Sequence, residues 1–547
     1  LIEGYSTDPK EVSNEWDEFI GFIGKLKMPF FYVPGNHDIQ NPVEAAEWHK
    51  RFGRDYYHFV YRDVLFLCLN SDDPWPAKFG EAQLADAAKA LAENKEVRWT
   101  LVFFHRPLWQ PQETEGKKEV DHNNGMDRLE AMLKGRPYTV FVGHNHHYKK
   151  YERQKNNYYI LATTGAGSEM RGPAFGEFDH VAWVTMTEAG PLVANVMLDG
   201  VWDDNVVTEK SAGLMKRLNA SIPVQEGSLF LDQKSIHGAS VKLRCDNKSD
   251  LPLKVKLDFP ESSALAPDPA LVEAVVPPNS VKIFELSLKA VGELNAADLK
   301  SVFYDWTLSY DGDYQPPLKI QGTSYLYLDA PLDLPATPKP VKLDGKLDEW
   351  GVLPVVANNS RPPQPKGGQW DGPQDCSFRF AVRHDDKNFY VAVAVKDDKR
   401  LKASLDDAYN QDGLWIALDA DPDSNAKLGD KQKKNSYGMM LLPGKTAKDS
   451  VDVAAVQGWA AEGVHGVCVD SKDGYTAEAV FPYADMAKRL GKAAQAVKLN
   501  ITVYDFDPSD SQDKGIYFNW RPVGPNKKDE EAGPDLTYPG QGTFYIK

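Results

Sequence analysis

Apolar positions recur at helical spacing over residues 81–93, where Leu84, Ala87, Ala88 and Leu91 share one face. The same spacing recurs over 126–133, through Met126, Leu129, Met132 and Leu133. Short apolar runs at 30–33, 64–69, 99–104 and 138–142 lie around these stretches and predict buried strands. Residues 1–210 therefore predict an α/β domain. From 219 to 328 the helical period largely vanishes. Alternation at 241–244, 253–257 and 281–288, broken by Asn, Asp, Pro and Gly clusters, predicts a small β-sandwich. The proline-rich stretch 329–340 predicts a stiff extended linker. Beyond it, runs at 378–382, 389–395, 413–418, 477–481 and 499–504 predict a second, larger β-sandwich over 341–547.

A chain of 547 residues is too long for one core, and 42% hydrophobic with 26% charged residues is an ordinary globular composition. The middle sandwich has the size and strand spacing of an immunoglobulin-like domain. Lys and Arg number 63 against 79 Asp and Glu, a net charge of −16. That balance argues against a nucleic-acid surface and requires a local positive centre for any phosphate ligand. The cysteines, Cys68, Cys245, Cys376 and Cys468, are scattered without a CxxC pair, so neither a thiolate metal site nor a disulfide scaffold is expected. No apolar run approaches the ~20 residues of a membrane-spanning helix.

Three apolar runs stop at clusters of nitrogen donors. Run 30–33 leads into Pro34, Gly35, Asn36, His37 and Asp38; run 99–104 ends at His105, Arg106 and Pro107; run 138–142 ends at Gly143, His144, Asn145, His146 and His147. Functional groups of open α/β sheets collect in loops at the carboxyl ends of strands, so the three clusters are expected to face one crevice. His144 and His146 need a turn to converge, and Gly143 supplies backbone freedom there. Asp38, beside His37, is expected to accept from one ring nitrogen and so fix the tautomer. Imidazole and amide donors with no cysteine close by suit Zn, Fe, Mn or Ni.

In this order, Gly35-Asn36-His37-Asp38, the strand-ending His105 and Gly143-His144-Asn145-His146 resemble the calcineurin-like metallophosphoesterases over residues 1–210. The resemblance implies a multidomain protein whose first domain is an α/β (αββα) metallophosphoesterase sandwich, followed by the two all-β sandwiches. It implies that Asn36, His105 and His144 bind one metal and His146 the other. It further implies that His37 faces the substrate phosphoryl or leaving group, with Asp38 orienting it. The implied cofactors are two divalent or trivalent ions, Mn, Fe or Zn, and the implied reaction is hydrolysis of phosphate mono- or diesters. Two such ions, about 3.5 to 4 Å apart, polarise the phosphoryl oxygen and lower the pKa of a bridging water, so that hydroxide attacks in line. They also place positive potential inside an acidic protein.

The family pattern has two earlier elements, an Asp-x-His and a Gly-Asp whose carboxylate bridges the metals, and neither occurs before Gly35. The expectation is that the first strands lie ahead of Leu1. As it stands, the chain would then bind two metals poorly and hydrolyse esters weakly. The rival reading is a carbohydrate-binding or cell-surface protein carrying a degenerate, inactive phosphoesterase scaffold.

Near the motifs, Arg106 suits either a phosphate or a surface ion pair. His122 reads as a solvated loop residue, His147 as a pocket wall or surface residue, and Tyr148 and Tyr151 as caps on the core. Toward the other end, Leu343-Asp344-Gly345 through Trp350, with Phe389-Tyr390-Val391, Asp412-Gly413-Leu414-Trp415 and Gly474-Tyr475, resembles carbohydrate-binding module family 9 over 341–547. That resemblance implies a carbohydrate partner held between aromatic faces. Trp370, Trp459 and Trp520 are the candidates, while Trp350 and Trp415 read as core. Asp419 with Asp421 and Asp505 with Asp507 offer calcium-type oxygen donors, a pattern shared with plain acidic loops. The likeness to an extracellular module leads to the expectation of an exported, periplasmic or extracellular protein.

Overall fold

The structure is a computed structural model, and it describes residues 1–111, 119–226, 229–231, 235–260, 265–295, 299, 302–326, 328–329, 331–358, 370–421, 436–458, 460–507, 515–521 and 542–546. The chain divides into two compact units, Leu1–Lys216 with Gly312–Leu318, and Arg217–Asp311 with Lys319–Lys547.

In the first unit, the helices α1 (Pro9–Ile23), α2 (Asn36–Ile39) and α3 (Pro42–Phe52) precede a six-stranded sheet. Its strands are β1 (Tyr57–Tyr61), β2 (Val64–Cys68), β3 (Trp99–Phe103), β4 (Tyr138–Val142), β5 (Lys149–Arg153) and β6 (Asn156–Ile160), in the spatial order β1-β2-β3-β4-β6-β5. The central strands β2, β3, β4 and β6 run parallel, which brings their carboxyl ends to one edge. Helices α4 (Glu81–Glu93) and α5 (Met126–Leu133) coincide with the two helical periodicities. Their Leu84, Ala87, Leu91, Leu129 and Leu133 are buried against Leu65, Leu67, Val102 and Val140 of the sheet. Burying such a side chain stabilises by roughly 1.5–3 kcal/mol.

The opposite face carries an aromatic ladder. Phe59, Phe66, Phe103, Phe141 and Tyr159 stack across five strands with centroid separations of 4.7, 6.2, 5.5 and 5.2 Å. Onto this side packs a second, three-stranded sheet of β7 (Val181–Thr187), β8 (Gly190–Val196) and β9 (Val201–Asp203), through Val193, Val184 and Met186. Successive strand residues point to opposite faces, so one apolar run feeds both layers.

The run at 30–33 is a departure. It passes into the Asn36 turn without ladder pairing, although Phe31 stacks on Phe59 at 4.5 Å. An apolar run becomes a strand only where a neighbouring backbone completes its hydrogen bonds.

The second unit begins with two four-stranded sheets, as the alternation over 219–328 predicts, and continues with sheets of seven and five strands. The proline-rich stretch does not behave as a free spacer. Pro331–Leu332 pairs with Gly542–Tyr545, Asp329 accepts hydrogen bonds from Thr543, and Leu332 and Leu334 are buried. Proline is tolerated there because the pairing is short and lies at the end of a sheet. Among the described residues, two short α-helices, Val453–Val456 and Tyr483–Leu490, stand in this otherwise β-rich region.

Candidate metal centre

The edge where the parallel strands end gathers three of the expected residues. Asn36 opens the one-turn helix α2 and is buried; His105 follows β3, and His144 follows Gly143 at the end of β4. Asn36 Oδ1 lies 2.7 Å from His105 Nε2 and 3.1 Å from His144 Nδ1, and the two imidazole nitrogens are 3.1 Å apart. Three donor atoms from three loops thus converge on one point.

Close packing enforces the convergence. A Cβ on Gly35 would meet His105 Nδ1 at 2.9 Å, so only glycine leaves room for that ring. His144 and His146 both have left-handed backbones, with φ of 73° and 54°. For residues bearing a Cβ this costs of order 1–3 kcal/mol each and is characteristic of functional loops.

Burial and neighbouring positive charge keep both imidazoles neutral. Desolvation, aided by His144 and Arg106, holds His105 well below its usual range. Desolvation, then Arg106, pushes His144 down to about 3. A neutral imidazole is the form that ligates a cation. An amide oxygen and neutral imidazole nitrogens are donors that a borderline divalent ion such as Zn or Mn accepts. Arg106 Nη1, which only donates, faces His144 Nε2 at 3.0 Å, so the neutral His144 ring carries its hydrogen on Nδ1 and must give it up to ligate there.

The other expected residues are placed differently. His146 is exposed and donates from Nδ1 to the Gly167 carbonyl at 2.6 Å, apart from the three-donor point. In the neutral ring this leaves Nε2 as its open nitrogen.

Asp38 was expected to orient His37, and its carboxylate does other work. It caps α2 by accepting from Gly35 N at 2.8 Å and also accepts from Ile2 N at 3.1 Å. Adjacent residues of a helical turn project about 100° apart, so Asp38 points inward while His37 points out. The His37 ring is held instead by the Glu3 carbonyl and the Tyr5 hydroxyl.

Arg106 is not a surface residue. Its side chain is 1% exposed, its Nε donates to Asp72 Oδ1 at 2.7 Å, and its Nη1 lies 3.0 Å from His144 Nε2. Asp72, Glu3 and Tyr5 escaped the sequence reading because they sit outside the three motifs. The signal for Asp72 was its place just after the apolar run 64–69, at the same sheet edge. His122 pairs with Asp127 in the open, His147 is half-buried, and Tyr148 and Tyr151 are buried.

Residues 5–148 match the calcineurin-like phosphoesterases. Residues 343–530 match the carbohydrate family 9 binding domain-like group. Among curated proteins, purple acid phosphatase 22 of Arabidopsis thaliana is 24% identical over 252 residues, covering 37% of this chain and 57% of that protein. The serine/threonine-protein phosphatase CPPED1 of Mus musculus is 29% identical over 130 residues, covering 22% of this chain and 42% of that protein. The chain spans about half the length of these relatives. Among solved structures, a carbohydrate binding module family 9 protein of Caldicellulosiruptor kristjanssonii in complex with glucose is 18% identical, covering 40% of this chain and 95% of that one at a TM-score of 0.26.

In the region matching the family 9 modules, Trp520 is core, 4.6 Å from Phe380 and 6.3 Å from Phe544, which removes it as a sugar platform. Trp370 is half-buried and donates to the Cys376 carbonyl at 2.8 Å, and Trp459 lies outside the described residues. Trp350 and Trp415 are buried. Asp505 lies with Asp397 and Asp412, and Asp507 with Asp375 and Asp398, in two carboxylate groups that Arg400 and Lys399 bridge by ion pairs.

Proposed function

We propose that the first unit is a metal-dependent phosphoester hydrolase and that Asn36, His105 and His144 hold one of its cations, with His146 serving the other. The convergence of Asn36 Oδ1, His105 Nε2 and His144 Nδ1 within 3.1 Å carries this reading. The match of residues 5–148 to phosphoesterases and the phosphatase relatives support the same class of chemistry. When bound, the ions supply Lewis-acid polarisation of the phosphoryl group and a nucleophile at neutral pH. The chain's own part is to keep both histidines unprotonated, to fix the three donors through the Gly35 contact, and to present His37 at the rim. His37 stands on the leaving-group side, where a positioned imidazole assists departure of the ester oxygen.

The experiment is hydrolysis of p-nitrophenyl phosphate and bis-p-nitrophenyl phosphate with Mn or Zn, by the full-length protein and by its His37→Ala and His144→Ala variants. Both variants are expected to lose most of the turnover. Unchanged rates in both, or a wild type inert with either metal, overturn the reading.

A carbohydrate ligand is proposed for residues 341–547, supported by the match to family 9 binding domains. Retention on immobilised polysaccharides tests it. Export is proposed on the same likeness, and cell fractionation tests it.

A further inference from the structure

His37 follows a metal-site asparagine, yet neither of its ring contacts comes from the motif. Its Nδ1 lies 2.5 Å from the Glu3 carbonyl oxygen, and its Nε2 lies 3.1 Å from the Tyr5 hydroxyl. A carbonyl only accepts, so Nδ1 carries the hydrogen. In the neutral ring Nε2 then presents a lone pair, and the Tyr5 O–H donates to it. The two rings also meet edge to face, with centroids 4.4 Å apart and an interplanar angle of 74°.

The segment that delivers these groups is shaped for the task. Gly4 and Tyr5 have left-handed backbones, with φ of 71° and 68°. A Cβ on Gly4 would lie 2.1 Å from the His37 carbonyl oxygen, so the strand of chain passes directly over the α2 turn. Backbone bonds pin it on both sides: Ile2 N to Asp38 Oδ1 at 3.1 Å, Gly4 N to Glu15 Oε2 at 3.0 Å and Asn41 Nδ2 to Ser6 O at 3.1 Å. Tyr5 itself remains 61% exposed, so its hydroxyl stands at the open rim beside Nε2.

We propose that Tyr5, together with the Glu3 carbonyl, is the positioning residue of His37: the carbonyl keeps the hydrogen on Nδ1, and the Tyr5 hydroxyl and ring edge hold Nε2, the nitrogen that takes up a second proton and gives it to the departing ester oxygen, at the open rim. This replaces the role that Asp38 would have by sequence adjacency. The proposal rests on the phosphoester-hydrolase reading only for its kinetic consequence; the tautomer is a property of the folded chain.

Tyr5→Phe keeps the ring-edge contact and removes only the hydroxyl. Because Tyr5 is largely exposed, the variant is expected to keep the wild-type thermal midpoint. Long-range proton–nitrogen correlation of the His37 ring in the full chain is the first readout. The wild type and Asp38→Asn are expected to show the same Nδ1–H ring, and Tyr5→Phe a shifted Nε2 resonance on that same tautomer, because the Glu3 carbonyl still holds Nδ1–H. An unchanged ring in Tyr5→Phe, or an altered ring in Asp38→Asn alone, overturns the proposal.

The second readout is turnover with Mn. Tyr5→Phe is expected to lower kcat about 10-fold for phenyl phosphate, a poor leaving group, a fraction of the ~10²–10⁴ that a positioned acid or base supplies. It is expected to leave KM and Mn affinity near wild type and to lower p-nitrophenyl phosphate turnover by a smaller factor than phenyl phosphate turnover. An equal loss for both esters marks a merely structural role and overturns the proposal. A wild type without metal-dependent turnover defeats the hydrolase reading, and the ring spectra still decide the role of Tyr5.

Discussion

The imidazole of His105 occupies the space a side chain on Gly35 would need: a Cβ there would sit 2.9 Å from Nδ1 and 3.0 Å from Cε1. Gly35→Ala therefore displaces a donor without altering any donor residue. Overpacking of this kind costs ~1–3 kcal/mol, so the variant is expected to fold with a lowered unfolding midpoint. Its Mn or Zn affinity by calorimetry is expected to fall at least ~10-fold, the lower bound for disturbing groups around a metal site.

Asn36→Ala and His144→Ala each remove an atom from the three-donor point, whereas His146→Ala removes one that lies apart from it. The first two are expected to cost the tighter cation site more than the ~10- to 100-fold typical of an outer partner. His146→Ala is expected to leave that tighter site within about 3-fold of the wild type, less than an outer partner typically costs. Competitive titration with a metal indicator measures all three. Equal losses in the three variants would show that the donors act as one undivided site.

Arg106 and Asp72 are side chains 1% and 0% exposed, joined at 2.7 Å. Removing one partner of such a pair leaves a buried charge and costs ~3–5 kcal/mol. Arg106→Met and Asp72→Asn are each expected to destabilise the first unit by about that amount. The double variant is expected to recover part of the loss. Urea unfolding of the set, read as a double-mutant cycle, checks this.

The second unit has an acid-side preference written into its carboxyl groups. Burial, then the surrounding aspartates, raises Asp505 to about 8. Burial raises Glu478 to about 7 and also raises Asp412, and burial followed by repulsion from Asp412 raises Asp397. Unfolded carboxyls titrate near ~4, so the folded state holds these protons more tightly. The resulting stabilisation is fully present below pH ~4 and is lost as pH rises through about 7 to 8. Calorimetric unfolding of the second unit is expected to shift to higher temperature between pH 8.5 and 5.5, and Asp397→Asn to flatten the shift.

Much of this architecture was legible along the chain because period and composition agreed with burial. The spacing over 81–93 and 126–133 reproduces α4 and α5. The run at 138–142 reproduces β4. The run at 30–33 misled because apolarity records burial, while a strand also needs a partner backbone. The placing of His105 and His144 was legible because their clusters follow parallel strands that end at one sheet edge, whereas Asn36 reaches the same point from a run that pairs with no strand. Asp38 was misread because sequence neighbours on a helical turn do not face the same way. Arg106 was left between a phosphate contact and a surface ion pair because nothing in its local sequence announces Asp72, a partner 34 positions away.

Asn36 and His105 are 69 positions apart, and His105 and His144 are 39 apart. An ion seated among them would buckle together three remote stretches of the first unit, closing loops the unfolded chain must leave open. At one hundred times its dissociation constant such a ligand adds about 2.7 kcal/mol, a sizeable fraction of a typical domain's margin. Metal supply would thus govern how much folded protein survives in the cell as well as how fast each molecule works.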